Sequence, residues 1–303
     1  MIALRRSCGR TRWRGDWGIP MTPAQINAVY QYLCQNTGDP TELQRQLNLV
    51  GNEFGAVEAV LYLPMYSMGI GQAGVTPRIA ALRRMGFTVE GAHTGRHTVE
   101  EIERLDIGGG KLFGMRKRIS QLMRRAADIY AYGVERIAQD LKPIDNWNID
   151  DLVRPFTCLS GFTGIRDKAA LHVLMDLRWD VVKPDRHICR FLRRLGGQWE
   201  RYFPTGKKDD LPAPLMFPFA KEWRDTCARF RRVNLPPPAA RNGVAFPPLM
   251  DLSSRQIDIL IMWFAQDRAR EERSWRPAPI CGKQAACQKC PVPDCEARAR
   301  PQI

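Results

Sequence analysis

Apolar residues recur three and four positions apart along most of the chain, which is the spacing of an amphipathic helix. Residues 24–34 show this pattern behind Thr22, a plausible N-cap. A second helix is expected from Gly55 through AVEAVLYLPMY, and its nearly unbroken apolar face implies deep burial. Near the end of the chain, SSRQIDILIMWFAQDRAREE carries an apolar stripe at Ile257, Leu260, Ile261 and Phe264. No convincing run of alternating strands is present, so the pattern predicts an all-α fold.

The middle of the chain predicts three further helices. TPRIAALRRM is expected to be a basic helix with Pro77 in its first turn. Thr98 and Glu101 form the Thr-x-x-Glu capping box of the next helix. Residues 111–141 are expected to form one long amphipathic helix. Its predicted apolar side comprises Ile119, Leu122, Met123, Ala126, Ile129 and Tyr130, and its basic first half contains Arg116, Lys117, Arg118, Arg124 and Arg125.

Two segments have a different composition. Residues 1–20 are Arg-rich and lack an apolar core, so we expect a disordered basic arm, which is dispensable if Met21 is the true start. Residues 197–248 are dense in Pro and Gly, which predicts an irregular connection and not a packed helical layer.

Charge restricts the class of partner. The chain has 303 residues and a formal net charge of +14, with 46 Lys and Arg against 32 Asp and Glu. This excess favours a polyanion: nucleic acid, an acidic membrane face or an acidic protein. No apolar run approaches the ~20 residues that span a bilayer. Nine cysteines without a signal peptide indicate a reducing compartment, so we expect a cytoplasmic protein, associated with the nucleoid in a prokaryote.

Four cysteines close together near the end of the chain indicate a metal site. Cys281, Cys287, Cys290 and Cys295 have the spacing C-x5-C-x2-C-x4-C. Four thiolates suit either an iron–sulfur cluster or tetrahedral zinc. Zinc sites more often consist of two separated C-x2-C pairs, and this stretch contains one such pair.

A glycine-rich turn lies between two predicted helices in LSGFTGIRDKAALHVLMDLRWDVVKPDRHICRFLRRLG, residues 159–196. Glycines here permit positive φ and allow backbone N–H groups to face outward beside a helix N-terminus, where a phosphate can bind. An ordinary helix–helix turn is the alternative. The residues of the turn are Gly161, Phe162, Thr163, Gly164 and Ile165.

Asp185 lies about twenty residues after this turn and directly before an apolar-periodic helix. One interpretation is an N-cap behind Pro184. The other is a carboxylate aimed at whatever the turn binds, where it can stabilise a developing sugar cation or deprotonate a nucleophile.

The order of turn, helix, apolar linker, Asp-x-His-Ile-x-Arg and terminal four-Cys loop resembles the helix-hairpin-helix DNA glycosylases of the endonuclease III superfamily, over roughly residues 55–195 and 281–295. The resemblance implies an all-α, two-lobed fold with a cleft between a six-helix lobe and an iron–sulfur lobe. The first lobe would contain residues 55–178. Residues 21–54 and 179–303 would form the second, with the Pro-rich insert and the cluster loop.

The resemblance also implies roles for individual residues. Asp185 matches the catalytic aspartate, the turn matches the DNA-binding hairpin, and the four cysteines match the ligands of a 4Fe-4S cluster. Gln72 resembles the glutamine that fills the gap left by an extruded nucleotide. Lys168 matches the nucleophile of the members that also cleave the strand, if the apolar positions of the helix are aligned. Counting back from Asp185 without a gap places Asp167 there instead.

The sequence departs from the family in two places. The hairpin is longer than the family's Leu-Pro-Gly-hydrophobic-Gly, and each outer interval of the cysteine motif is one residue shorter than usual. The expected function is excision of a modified or damaged base from duplex DNA by a monomer, with or without strand cleavage. A non-catalytic DNA-binding or redox-sensing protein and an RNA-binding protein are the alternatives. The identity of the base has no local signature.

Overall fold

The computed structural model describes residues 21–49, 54–68, 72–105, 116–203, 211–266, 275–282 and 285–299, with the side chains of residues 66–75 excepted. Its regular elements in these ranges are all helical, and the nearest approach to a strand is one isolated bridge between Arg241 and Val244. The prediction of an all-α fold is therefore confirmed for the described part of the chain. None of its helices has the length and apolar character needed to cross a membrane.

Fourteen α-helices occur in the described ranges, together with short 3-10 segments. They are α1 Pro23–Asn36, α2 Pro40–Leu49, α3 Ala56–Tyr62, α4 Gln72–Arg84, α5 Val89–His93, α6 Val99–Arg104, α7 Arg116–Tyr132, α8 Val134–Asp140, α9 Ile149–Ser160, α10 Asp167–Asp176, α11 Arg186–Leu195, α12 Met216–Phe230, α13 Ser254–Ala265 and α14 Glu296–Ala299.

Side-chain caps fix the starts of several helices. Thr22 and Thr98 accept from the backbone N–H three residues on, and the side chains of Gln25 and Glu101 bond back, so both predicted caps are confirmed. The same reciprocal box starts α9 at Asn148 and α13 at Ser253. Each cap satisfies N–H groups that a helix start otherwise leaves without partners.

Helix α13 connects distant parts of the chain. Its predicted apolar stripe is buried, with Leu260, Ile261 and Phe264 at 0% exposure, and it packs against α1, α10 and α11. Helix α1 and the residue after it are also bonded to residues 275–278. Tyr32 Oη donates to the carbonyl of Ala278, and Thr37 Oγ1 donates to that of Trp275.

The single helix predicted over residues 111–141 is interrupted, because Gly133, at φ 99°, separates α7 from α8. Residues 111–115 lie outside the described part of the chain. A residue with a side chain is strained at such a φ, so the glycine marks a real break. Tyr130 was expected on the apolar side but is 42% exposed, and its ring stacks on His93 at 4.4 Å.

Pro77 does not lie in a first turn. Helix α4 starts at Gln72, so the proline is inside the helix. Only one helical hydrogen bond is lost by its missing N–H, and the helix continues on both sides.

The Pro-rich segment 197–248 contains a packed helix, contrary to the prediction of an irregular connection. Helix α12 buries Phe219, Trp223 and Phe230, and the Trp199 ring lies 5.4 Å from that of Phe219. Pro218 is the third residue of α12, where no intrahelical N–H bond is required. Pro218 therefore lies in the first turn of a helix, which composition alone could not distinguish from a loop. Residues 231–248 contain no helix, so the prediction of an irregular connection is confirmed there.

Candidate functional site

The glycine-rich turn joins α9 to α10. Gly164 has φ 79°, so glycine is required there, as predicted. Gly161 has φ −75°, which any residue adopts, so the expectation of positive φ is wrong at this position. A Cβ on Gly161 would lie 3.2 Å from the carbonyl oxygen of Cys158, and this close approach is the constraint at that position.

Of the five predicted DNA-binding residues in the turn, four already use their backbone N–H in a hydrogen bond within the protein. The N–H groups of Gly161, Phe162 and Ile165 donate to carbonyls within the turn and at the end of α9. The N–H of Thr163 donates to Asp128 Oδ2 at 2.8 Å. Among the described hydrogen bonds none uses the N–H of Gly164, so this group remains the best candidate for a phosphate.

Phe162 and Ile165 are not surface side chains. They are 5% and 4% exposed, and the Phe162 ring meets that of Tyr132 edge-on at 5.5 Å. Their burial anchors the turn on the helices beneath it. A DNA contact by these two residues would therefore have to use the backbone.

Helix α7 holds the turn through a buried cation. The Arg125 side chain is fully buried, its Nε donates to the carbonyl of Leu61 at 3.1 Å, and its Nη1 donates to that of Thr163 at 3.0 Å. Burial lowers the pKa of Arg125 to about 10, although the neighbouring Asp128 favours the charge, so the cation persists at neutral pH. A Cβ on Gly164 would lie 3.2 Å from Arg125 Nη1.

Asp185 is the N-cap of α11 and is a partly exposed residue. Its Oδ1 accepts the N–H groups of His187 and Ile188 at 2.8 and 3.1 Å. The second oxygen, Oδ2, accepts no hydrogen bond from the described residues. Asp185 can therefore cap α11 with Oδ1 and at the same time present Oδ2 to a ligand.

A buried charge cluster lies beside Asp185. On α13, Arg255 forms ion pairs with Asp176 and Asp258, both at 2.6 Å. Burial raises the pKa of Asp258 to about 7, against the pull of Arg255, and the charges of Asp185 and Lys183 also act on it. Burial likewise raises the pKa of Asp176. Two buried acids share one guanidinium, so they retain a proton more readily than an exposed acid.

Lys168 is the second residue of α10 and is partly buried. The alignment that placed it at the nucleophile position relied on Ala170, Val173 and Leu174 forming an apolar face. These three are buried, but so is every residue from Ala169 to Met175. A helix buried on all sides does not fix a register, so the choice between Lys168 and Asp167 stays open.

Two of the four cysteines, Cys281 and Cys295, are held against the end of α11. Arg194 Nη1 lies 2.8 Å from the carbonyl oxygen of Cys281 and 3.5 Å from its Sγ, and the Cys295 thiol is 3.4 Å from the carbonyl of Arg194. Next to them, Glu296 Oε1 accepts the N–H of Gly197, and any Cβ on Gly196 would collide with the same carboxylate.

The four thiols lie close enough together to influence one another's pKa. Burial raises the pKa of Cys290 to about 11, and the other three cysteines add to this increase. Among the described residues, no three His, Cys, Asp or Glu side chains converge as one metal ion requires. The mutual effect shows that the four cysteines are neighbours.

Some predicted features remain undescribed. Gln72 starts α4, but its side chain lies outside the described part of the chain, as does the arm 1–20. Two cavities are described, of about 820 and 320 Å³, and neither is lined by Asp185 or Lys168.

The roles of Arg125, Asp128 and Asp258 are not among those predicted from the sequence. A signal was present for two of them. Arg125 falls in the stripe that includes Leu122, Ala126 and Ile129, and Asp258 falls between buried isoleucines. A charged residue in an apolar stripe requires a buried partner. The partner itself comes from another part of the chain, so sequence alone does not identify it.

Comparisons with known proteins return no relatives. No family model, no curated protein and no solved structure matches this chain.

The charge cluster leads to a prediction about pH. The native carboxyl of Asp258 holds a proton up to about pH 7, whereas an unfolded aspartate releases it near pH ~4. The native state therefore binds more protons within this window, and the free energy of unfolding falls as pH rises through it. Asp258→Asn should flatten this fall, on the order of 2 kcal/mol between pH ~5 and ~8, in urea unfolding. The exposed Asp251→Asn should behave as the wild type. Equal pH dependence in wild type and Asp258→Asn would refute the assignment.

Proposed function

We propose that this protein is a helix-hairpin-helix DNA glycosylase that extrudes a modified or damaged base and breaks its bond to the sugar. The observation that carries the proposal is Asp185, a partly exposed residue that follows the glycine turn at the expected place and whose carboxylate is oriented by two backbone N–H groups. A second support is the turn itself, which Arg125 and Asp128 hold in one conformation.

The finer architecture is part of the same proposal. The lobe with the hairpin would comprise α3 to α10, which are eight helices where the resemblance implies six, and α1, α2, α11 to α14 and the cysteine loop would form the second lobe. The bonds from Tyr32 and Thr37 to Ala278 and Trp275 support the joining of the two chain ends in one lobe. DNA would enter the cleft between the lobes.

In this mechanism Asp185 stabilises positive charge on the sugar. Cleavage of the bond between base and deoxyribose develops a cation, and an ionised carboxylate at short range lowers the energy of that state. The N–H groups of His187 and Ile188 fix the carboxylate before the sugar arrives, so little reorganisation is needed. Water then attacks, or an amine does if Lys168 is the nucleophile. An amine would leave a covalent intermediate, from which the strand breaks by elimination.

A 4Fe-4S cluster is the cofactor that fits the cysteine loop best. Cys281, Cys287, Cys290 and Cys295 would be its ligands. Thiols that raise one another's pKa bind a cationic group favourably, and a cubane takes its ligands at four separate corners, wider apart than one zinc ion does. The cluster would supply a rigid cross-link to the loop. Zinc is the weaker alternative, because zinc sites more often consist of two separated C-x2-C pairs and this loop contains one.

A non-catalytic DNA-binding protein on the same scaffold is the second candidate. One observation favours it: Asp185 already acts as a helix cap, and neither described cavity includes it. The two candidates share DNA binding and differ in base release.

Asp185→Asn separates them. Asparagine caps helices as well as aspartate does, so α11 should remain folded, while the negative charge is lost. A panel of duplexes with damaged and naturally modified bases first identifies the base that the wild type releases. The variant should bind that duplex with similar affinity and release the base at least ~100-fold more slowly in single turnover. Unchanged release would refute the assignment of Asp185.

Lys168 can be tested without knowing the base. If its amine attacks the sugar, wild-type protein and a duplex with an abasic site should form an adduct that borohydride traps, and Lys168→Gln should abolish it. Lys221→Gln, on the exposed side of α12, is the matched control and should leave trapping unchanged. Adduct formation by Lys168→Gln would exclude Lys168. With no adduct in the wild type, the enzyme would leave only an abasic site.

A further inference from the structure

A cavity of about 820 Å³ opens beside the glycine turn, away from Asp185 and the cysteine loop. Gly161 and Phe162 of the turn form part of its wall, and Asp128, which holds the turn, forms another part. The cavity therefore continues the surface that the turn starts. The remaining wall comes from α7, α8 and α9.

Two arginines converge at this wall on one buried acid. The Asp140 side chain is 3% exposed. Its carboxylate accepts a hydrogen bond from Arg154 Nη2 and lies 3.6 Å from Arg136 Nε, within ion-pair distance. Tyr132 Oη donates to the same carboxylate. The Tyr132 hydrogen bond and the two arginines hold the pKa of Asp140 below its usual value, so the acid stays ionised and retains both cations at neutral pH.

The side chains of Arg136 and Arg154 are exposed to solvent, whereas the carboxylates of Asp128 and Asp140 already accept hydrogen bonds within the protein. The Arg136 and Arg154 side chains are 66% and 76% exposed. Arg136 lies over the Tyr132 ring at 4.6 Å, which limits its freedom. Asp128 already accepts the Thr163 N–H, and Asp140 is buried under its donors. A ligand in the cavity would thus meet positive charge first. Two pre-oriented guanidiniums suit a phosphate, because each has several N–H donors in a plane.

We propose that Arg136 and Arg154 form a second contact for the phosphates of duplex DNA, next to the hairpin, so that the turn and this cavity bind one strand together. This inference rests on the DNA-binding part of the proposed function and extends it to a surface outside the catalytic region. The contact is to the backbone, so it contributes affinity and register without reading sequence.

The salt dependence of binding to an undamaged duplex tests this proposal. Each phosphate contact contributes about 0.9 to the slope of log K against log salt. Arg136→Gln with Arg154→Gln should lower the slope by about 2 and weaken binding by roughly tenfold or more near ~0.1 M salt. The double Lys variant retains the charge and should restore most of the slope.

A gain-of-charge variant serves if the double Gln variant fails to fold. Val153 is 43% exposed and lines the same cavity. Val153→Lys should raise the slope by about 1. The matched controls are Val233→Lys, at a residue 38% exposed after α12, and Arg45→Gln, on α2. Both should keep the wild-type slope.

Three results would overturn the proposal: slopes unchanged in both the Gln and Val153→Lys variants, equal changes in the controls, or tighter binding of structured RNA than of duplex DNA by the wild type. Base release by the wild type is measured in parallel. Release with unchanged slopes leaves the glycosylase proposal standing and rejects this surface. Shifted slopes without release by the wild type support this surface and reject the catalysis.

Discussion

The hydrogen bonds of one buried guanidinium connect α7 to α3 and to the glycine turn of the candidate DNA-binding region. Arg125 bonds the carbonyls of Leu61 and Thr163, and Asp128, one turn further along α7, takes the Thr163 N–H. A buried cation is costly without partners, so the turn and α3 must stay where these bonds can form. The conformation of the turn is thereby set before any ligand arrives. The proposed backbone contacts at Gly164 and along the neighbouring cavity both depend on that rigid placement.

The region around Asp185 is built differently, from shared charge. Asp176 and Asp258 compete for Arg255, and the charges of Asp258 and Asp185 act on each other. This links α10, α13 and the start of α11 through buried groups that are sensitive to protonation. The cysteine loop is tied to the other end of α11 through Arg194. Helix α11 therefore has the proposed catalytic carboxylate at one end and the proposed cluster site at the other.

Local patterns predicted the features that depend on neighbouring residues. The caps at Thr22 and Thr98, the buried stripe of α13 and the cap at Asp185 were all readable, because periodicity and capping are short-range. Features that depend on residues distant in sequence could not be predicted from local patterns. The break at Gly133 interrupted an unbroken amphipathic pattern, and Trp199 and Trp223 made a core from a segment whose prolines indicated a loop. The burial of α10 on all sides removed the periodicity needed to place Lys168. In the glycine turn, the backbone groups of Thr163 bond to Arg125 and Asp128 of α7, which are distant in sequence, so the structure is needed to find these bonds.

The most direct test of the account is a crystal structure of the protein bound to duplex DNA that contains a positively charged pyrrolidine in place of one deoxyribose. Such a ring imitates the charge of the sugar in the transition state, so a glycosylase should bind it tightly. The account predicts that a carboxylate oxygen of Asp185 lies within hydrogen-bond distance of the pyrrolidine nitrogen and that a phosphate of the same strand meets the Gly164 N–H. Duplex bound on another face, or a pyrrolidine far from Asp185, would contradict it.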